Sequence, residues 1–270
     1  MGKGKPFLEV LASAIHEDFR FPFLELFAFL YTLGTFALAN FTVGVYSQMA
    51  TNEAVAYAVT TSLISFSLLI FLILVFKNIA YGLGNELEKG IIQTYFSYPL
   101  KRRAILTAKL LSGIGFSLLL FLGIQISAFY ILAPDIVLPQ FGTIVLTYAA
   151  SLSYPLFLSA IILLLALKLR RGGIGLVVGF ILYIAMSIVS GLVLIVATAT
   201  KSPLVLQIMS FISPNYALQY HYGGLATVPE LSLPWTPTLY EATLYVVGSY
   251  VIVAALFILG YTYFSRRLNL

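Results

Sequence analysis

The chain has 270 residues, of which 60% are hydrophobic and only 9% charged. A soluble domain carries roughly 25% charged residues, so ten acids and fifteen bases are too few to cover a soluble globule of this length. Intrinsic disorder needs low hydrophobicity and high charge and is excluded as well. What remains is an integral membrane protein. The lack of cysteine removes disulfides, thiolate metal sites and a cysteine nucleophile.

Residues 6–22 form the first predicted element. Phe7, Leu11, Ile15 and Phe19 recur every four residues with Leu8 and Ala12 beside them, while Glu9, Ser13, His16, Glu17 and Arg20 take the other side. The spacing predicts an amphipathic helix, opened by Pro6, closed near Pro22 and lying flat in the inner interface. It serves as a simple anchor or as an elbow helix packed on a cytoplasmic partner. Lys3 and Lys5 resemble a basic leader, but Glu9, Glu17 and Asp18 interrupt any apolar run, so no cleavable signal peptide is expected.

Six uncharged stretches follow, each offering the ~20 residues that a hydrocarbon core of about 30 Å requires. The predicted spans are 26–46, 55–78, 104–132, 142–167, 174–199 and 241–264. With the N-terminus inside, fourteen of the fifteen bases lie on the cytoplasmic side and only Lys201 lies outside. Both termini are then cytoplasmic and the cell membrane is the expected location. Orientation accounts for the basic loops, and no nucleic-acid partner is expected.

The predicted inner loop at 79–103 is the most informative stretch. Glu86 and Glu88 precede Gly90; the mostly apolar run Ile91-Ile92-Gln93-Thr94-Tyr95-Phe96-Ser97-Tyr98 follows, then Pro99, Leu100, Lys101, Arg102 and Arg103. A short helix from about Ile91 to Tyr98 is predicted, ended by Pro99. Held at the water side it is a docking knob for a soluble partner; the other reading packs it back on the end of the bundle.

Within the spans the polar residues are Asn40, Gln125 and the hydroxyls Thr60, Thr61, Ser62, Ser65 and Ser67. They are read as helix–helix hydrogen bonds or as substrate contacts. Pro155 is expected to kink the fourth span, with Ser151 and Ser153 satisfying the freed carbonyls. In the fifth span Gly175, Gly179, Ser187, Ser190 and Gly191 allow close helix approach, within the bundle or across a dimer seam. Segment 200–240 holds five of the eleven prolines and the only tryptophan, Trp235. It is predicted to be an extracellular loop with short helices, and His221 in it is read as a hydrogen-bonded interface residue.

Several chemistries lack their residues. No phosphate-binding Gly-x-x-x-x-Gly-Lys-Ser/Thr loop occurs, so ATP would have to bind elsewhere. No histidine lies in a span to serve a serine nucleophile, and no catalytic or metal set is expected. No Asp, Glu, Lys or Arg sits at mid-span, which argues against a proton- or ion-driven carrier.

The pattern Glu86-x-Glu88-x-Gly90, then Pro99, Arg102, Arg103 and Lys109, resembles the loop between helices two and three of type-two ABC exporter permeases. Departures from the usual form are Leu87, Ile91-Ile92 and Lys101; Phe211-Ile-Ser-Pro214-Asn-Tyr216 is similar to the stretch after helix five in that family. The resemblance implies an all-α, six-span permease domain over residues 1–270, itself not an enzyme, working with two copies of a separate ATPase that binds ATP and Mg2+. It also implies a second permease copy, identical or not. Segment 86–98 would be the coupling helix, with Glu86, Glu88, Gly90, Ile91, Ile92, Thr94, Tyr95, Phe96, Pro99, Arg102 and Arg103 as the partner-coupling residues. The loop Lys168-Leu-Arg170-Arg171-Gly172-Gly173 would be a second contact, or an orientation signal alone. Helices one, two and five would line the substrate path, making Asn40, Thr61, Ser65 and Ser187 its candidate residues. The expected cargo is hydrophobic or amphipathic: a drug, lipid or peptide. The competing reading is an ATP-independent channel or carrier.

Overall fold

The computed structural model describes residues 5–46, 51–96, 100–132, 134–200, 202–225 and 235–266. All their regular structure is helical. In chain order the elements are α1 (Lys5–Asp18), α2 (Phe23–Tyr46) and α3 (Asn52–Val75); a π-helical stretch π1 (Phe76–Leu83) that runs on into α4 (Gly84–Glu88); then α5 (Ile91–Tyr95). Next come α6 (Arg102–Leu110), a second π-helical stretch π2 (Leu111–Phe116), α7 (Ser117–Leu132), α8 (Pro134–Val137), α9 (Phe141–Leu169) and α10 (Gly172–Thr200). The chain ends with α11 (Leu204–Ser210), α12 (Asn215–Leu225) and α13 (Leu239–Arg266).

Five continuous helices among the described residues are long and apolar enough to cross a membrane: Asn52–Glu88, Arg102–Ile131, Phe141–Leu169, Gly172–Thr200 and Leu239–Arg266. The chain is therefore an all-helical, membrane-embedded protein. Burial separates a centre from a periphery. The most apolar stretches of Asn52–Glu88 and α9 are 61% and 67% buried, against 11% for α10. At the centre the Phe121 ring lies 6.1 Å from Tyr31, 6.2 Å from Phe71 and 6.4 Å from Tyr148, tying α2, α3 and α9 to α7. These are edge and tilted geometries that aromatic quadrupoles favour. Exposed large side chains such as Ile181, Ile184, Ile188 and Ile195 leave the outer side of α10 to hydrocarbon.

Local sequence accounts for several boundaries. Thr51 caps α3, its hydroxyl accepting from Ala54 N at 3.4 Å. A reciprocal capping box opens α13: Thr238 N donates to Glu241 Oε2 at 2.7 Å and Glu241 N donates to Thr238 Oγ1 at 3.2 Å. Gly90 turns the chain from α4 into α5 at φ +70°, a left-handed conformation that costs a side chain bearing Cβ about 1 kcal/mol or more.

Three expectations need correction. The helix of the second predicted span does not stop near residue 78, where Lys77 interrupts the apolar run; it continues through π1 and α4 to Glu88, because other elements bury its polar face. The helix after Gly90 covers Ile91–Tyr95, with Phe96 in a turn; residues 97–99, including Pro99, lie outside the described set. The Ser151 and Ser153 hydroxyls do not serve the helix around Pro155. Both are buried without a hydrogen-bond partner, while Ser159 Oγ bonds the Pro155 carbonyl at 2.6 Å.

Candidate functional site

At one end of the bundle, charged residues from four elements converge, joined by a serine from a fifth. Lys109 of α6 is buried and ion-paired with Glu86 of α4, also buried, and at 3.2 Å with Glu17 of α1. Removing such charges from water costs several kcal/mol per ion, recovered only where pairing and hydrogen bonds are good. Lys109 is well provided: besides the two carboxylates, its ammonium stands 5.0 Å from the centre of the Tyr95 ring. One step along, Ser112 of π2 donates to Asp18 Oδ2 at 2.5 Å. Lys77 of π1 donates to the Asp18 carbonyl and, at 3.0 Å, to Asn78 Oδ1, and lies 4.4 Å from the Phe23 ring centre.

Burial raises the Asp18 carboxyl from its ordinary 3.8 to about 6, against the Ser112 hydrogen bond and the Lys109 and Lys77 charges. Two atoms of the cluster remain without a partner, Asn78 Nδ2 and Glu86 Oε2, in residues each 4% exposed. Beside them opens a cavity of about 500 Å³, lined by Glu17, Asp18, Lys77, Asn78 and Glu86 among others.

The π turns and a glycine contact hold this end together. π1 packs on π2, and π stretches within α-helices are frequent at functional sites. α10 begins hard against the same region: a Cβ on Gly172 would lie 2.7 Å from the Tyr81 carbonyl and 2.9 Å from Asn85 N. Gly172 N also donates to Glu88 Oε2 at 3.2 Å, so the short connection before α10 is fastened to α4.

The residues expected to couple to a partner divide into two sets. Glu86 and Ile92 are buried, with Ile92 in the main apolar core; Tyr95 and Phe96 are half-buried against that core, and Arg102 lies 4.8 Å from the Phe96 ring centre. Glu88, Ile91, Thr94, Arg102 and Arg103 are exposed. The short helix thus packs one side on the bundle and turns Ile91 and Thr94 outward. α1 packs on α6 and π2, with Val10, Ala14, Asp18 and Phe19 buried, so its inner stripe is shifted from the 7-11-15-19 face.

A second polar cluster lies in mid-bundle. Gln125 Nε2 donates to Thr35 Oγ1 and to Ser67 Oγ, both at 2.8 Å, and Tyr148 Oη donates to Gln125 Oε1 at 2.9 Å. Four helices, α2, α3, α7 and α9, meet in this uncharged knot, so Gln125 and Ser67 make helix–helix bonds. Of the candidate path residues with described side chains, Thr61 and Ser65 share one turn of α3 and Ser187 lies on α10. Thr61 is half-buried; Ser65 is exposed, its hydroxyl bonding the Thr61 carbonyl at 2.7 Å; Ser187 is exposed on α10; the Asn40 side chain lies outside the described set. Gly175 and Gly179 approach Ala80 and Ile162 inside the bundle, whereas a Cβ on Gly191 would meet nothing within 4 Å. His221 Nδ1 lies 2.9 Å from the Pro237 carbonyl, an ordinary hydrogen bond.

Glu17, Asp18, Lys77, Asn78 and Ser112 were not legible as site members, because charges at span ends read as orientation signals. The spacing of Lys109 and Ser112, three residues apart and on one side of a helix, was the one available hint. No known family's sequence model matches the chain, and no curated protein matches it.

Proposed function

We propose that this chain is the membrane permease subunit of an ATP-driven exporter, energised by a separate ATPase that grips the segment around α5. The observation that carries the reading is the closure of the Glu86-to-Lys109 loop. The first and last members of the motif form a buried ion pair. Between them Gly90 turns the chain into a short helix with Ile91 38% exposed. A lever of this kind must be firm where it joins the bundle and accessible where it is pushed, and both conditions are met by named residues. Under this reading α2 is the first of six spans, both termini are cytoplasmic, α1 is the elbow helix, and two permease copies enclose an apolar path for a hydrophobic or amphipathic cargo. ATP and Mg2+ act on the partner, whose closure pushes α5 and switches access to the path.

Copurification tests this. A tagged chain is expected to bring down an ATPase with a phosphate-binding loop, and transport into inverted vesicles is expected to require ATP. Ile91→Asp should abolish the association while leaving membrane insertion and thermal stability unchanged, since Ile91 lies on the outward side of α5. Tyr95 and Phe96 are poorer probes because both pack on the core. Unchanged association in Ile91→Asp, or transport that proceeds equally without ATP, removes the reading.

A further inference from the structure

The cavity at the charged end has a chemistry that coupling to an ATPase does not use. Three cations (Arg20, Lys77, Lys89) and three carboxylates (Glu17, Asp18, Glu86) line it. The balance disfavours a simple anion or cation and suits a ligand that carries both charges on separate atoms.

Two of the lining groups are buried and unspent. Lys77 is donor-only, so its 3.0 Å bond fixes the Asn78 amide with Oδ1 toward Lys77 and leaves Nδ2, a donor, unpaired. Glu86 gives Oε1 to Lys109 and leaves Oε2, an acceptor, unpaired. Buried polar atoms without partners are uncommon because each keeps its full desolvation cost. A single ligand satisfying both must bring an acceptor to Asn78 and a hydrogen-bond donor to Glu86. Arg20 and Lys89 take part in neither of the ion pairs among the described residues, and favour an anionic acceptor. The cavity lies where α1 gives way to α2, beside Lys77, which ends the apolar run of α3. In a bilayer that level is headgroup depth, and Phe23 adds an apolar wall.

We propose that this cavity binds a phosphoethanolamine group, its phosphate received by Asn78, Arg20 and Lys89 and its primary ammonium by Glu86 and Glu17, supplied by a phospholipid of the adjoining leaflet. The inference rests on the membrane-embedded fold and stands whether or not an ATPase partner exists.

Native mass spectrometry of the full chain in detergent tests it, titrating dioleoyl-phosphatidylethanolamine, the corresponding phosphatidylcholine and phosphatidylglycerol, and soluble glycerophosphoethanolamine. One phosphatidylethanolamine should bind at least roughly tenfold more tightly than the other two lipids, the worth of one charge-assisted hydrogen bond. Choline keeps the positive charge but has no N–H for Glu86, and glycerol lacks the charge. Gly82→Leu should abolish the preference by filling the cavity; a Cβ there meets nothing closer than 3.4 Å, so the backbone accepts it. Should that variant fail to fold, Asn78→Ala removes the unspent amide and should lower the preference at least about threefold. Equal binding of the three lipids, or a preference that survives in whichever variants fold, overturns the proposal and leaves the cavity to water. Glycerophosphoethanolamine competing as well as the lipid keeps the zwitterion and moves its source from the bilayer to the aqueous side.

Discussion

The Gln125 knot and the Lys109 cluster are both buried polar assemblies in one apolar bundle. The knot carries no charge, joins four helices and uses both ends of its amide: Nε2 on Thr35 and Ser67, Oε1 on Tyr148. The Lys109 cluster gathers charges from α1, π1, α4 and α6, leaves Asn78 Nδ2 and Glu86 Oε2 unpaired, and opens onto a cavity. A saturated network needs nothing further and serves to fix helix register. An unsaturated one, with charges that are costly to bury, holds capacity in reserve for a ligand or a change of arrangement. The contrast sets a saturated knot in the middle of the bundle against an unsaturated, charged cluster at its end.

Substitutions can break this contrast in order of expected size. Lys109→Met leaves the Glu86 carboxylate buried without its partner and is expected to cost about 3–5 kcal/mol, read as a lowered unfolding temperature in detergent. Adding Glu86→Gln to that variant should recover most of the loss, because the isolated charge disappears. A double variant no more stable than Lys109→Met alone would mean that packing, not charge, holds the cluster. Gln125→Leu removes four hydrogen bonds inside the bundle, including a longer one to the Leu63 carbonyl at 3.4 Å. At roughly 0.6 kcal/mol each in a membrane, it should cost about 2 kcal/mol and leave lipid preference and ATPase association untouched. A functional defect in a stably folded Gln125→Leu chain would reverse the assignment of the two clusters.

The smallest effect is a slope rather than a loss. Asp18 binds its proton more tightly in the folded chain, near pH 6, than at its ordinary 3.8. Its contribution to stability is therefore greatest below the lower value and declines as pH rises through the window between them. Asp18→Asn keeps an acceptor for Ser112 and cannot ionise, so unfolding temperatures measured from pH 4 to 6 should decline less steeply than in the parent chain.

The long helices were legible because membrane spans are written in uninterrupted apolar length, and the boundaries 104–132 and 142–167 differ by only a few residues from Arg102–Leu132 and Phe141–Leu169. The loop from Glu86 to Lys109 was legible as a unit, since Gly90 punctuates it. What escaped was the inward use of its charges. A lysine at a span end looks the same in sequence whether it faces water or, like Lys109, is enclosed by Glu17, Glu86 and Tyr95. The continuation of the helix past Lys77 escaped for the same reason, as hydropathy counts charges without knowing their partners.

The two π stretches carry one further consequence. A π turn closes one residue later than an α turn, so it stores a surplus residue within an otherwise α-helical rod. Shortening the chain by a single position within Phe76–Leu83 would be taken up as the π turn closes to an α turn, whereas the same loss within the regular turns of α3 would swing everything beyond it by about 100° around the axis. In the second case Glu86 would point away from Lys109 although neither had been altered. Loss of one residue from α3 is therefore expected to do more harm to the Glu86–Lys109 pair than loss of one from the π stretch, which holds a residue to spare.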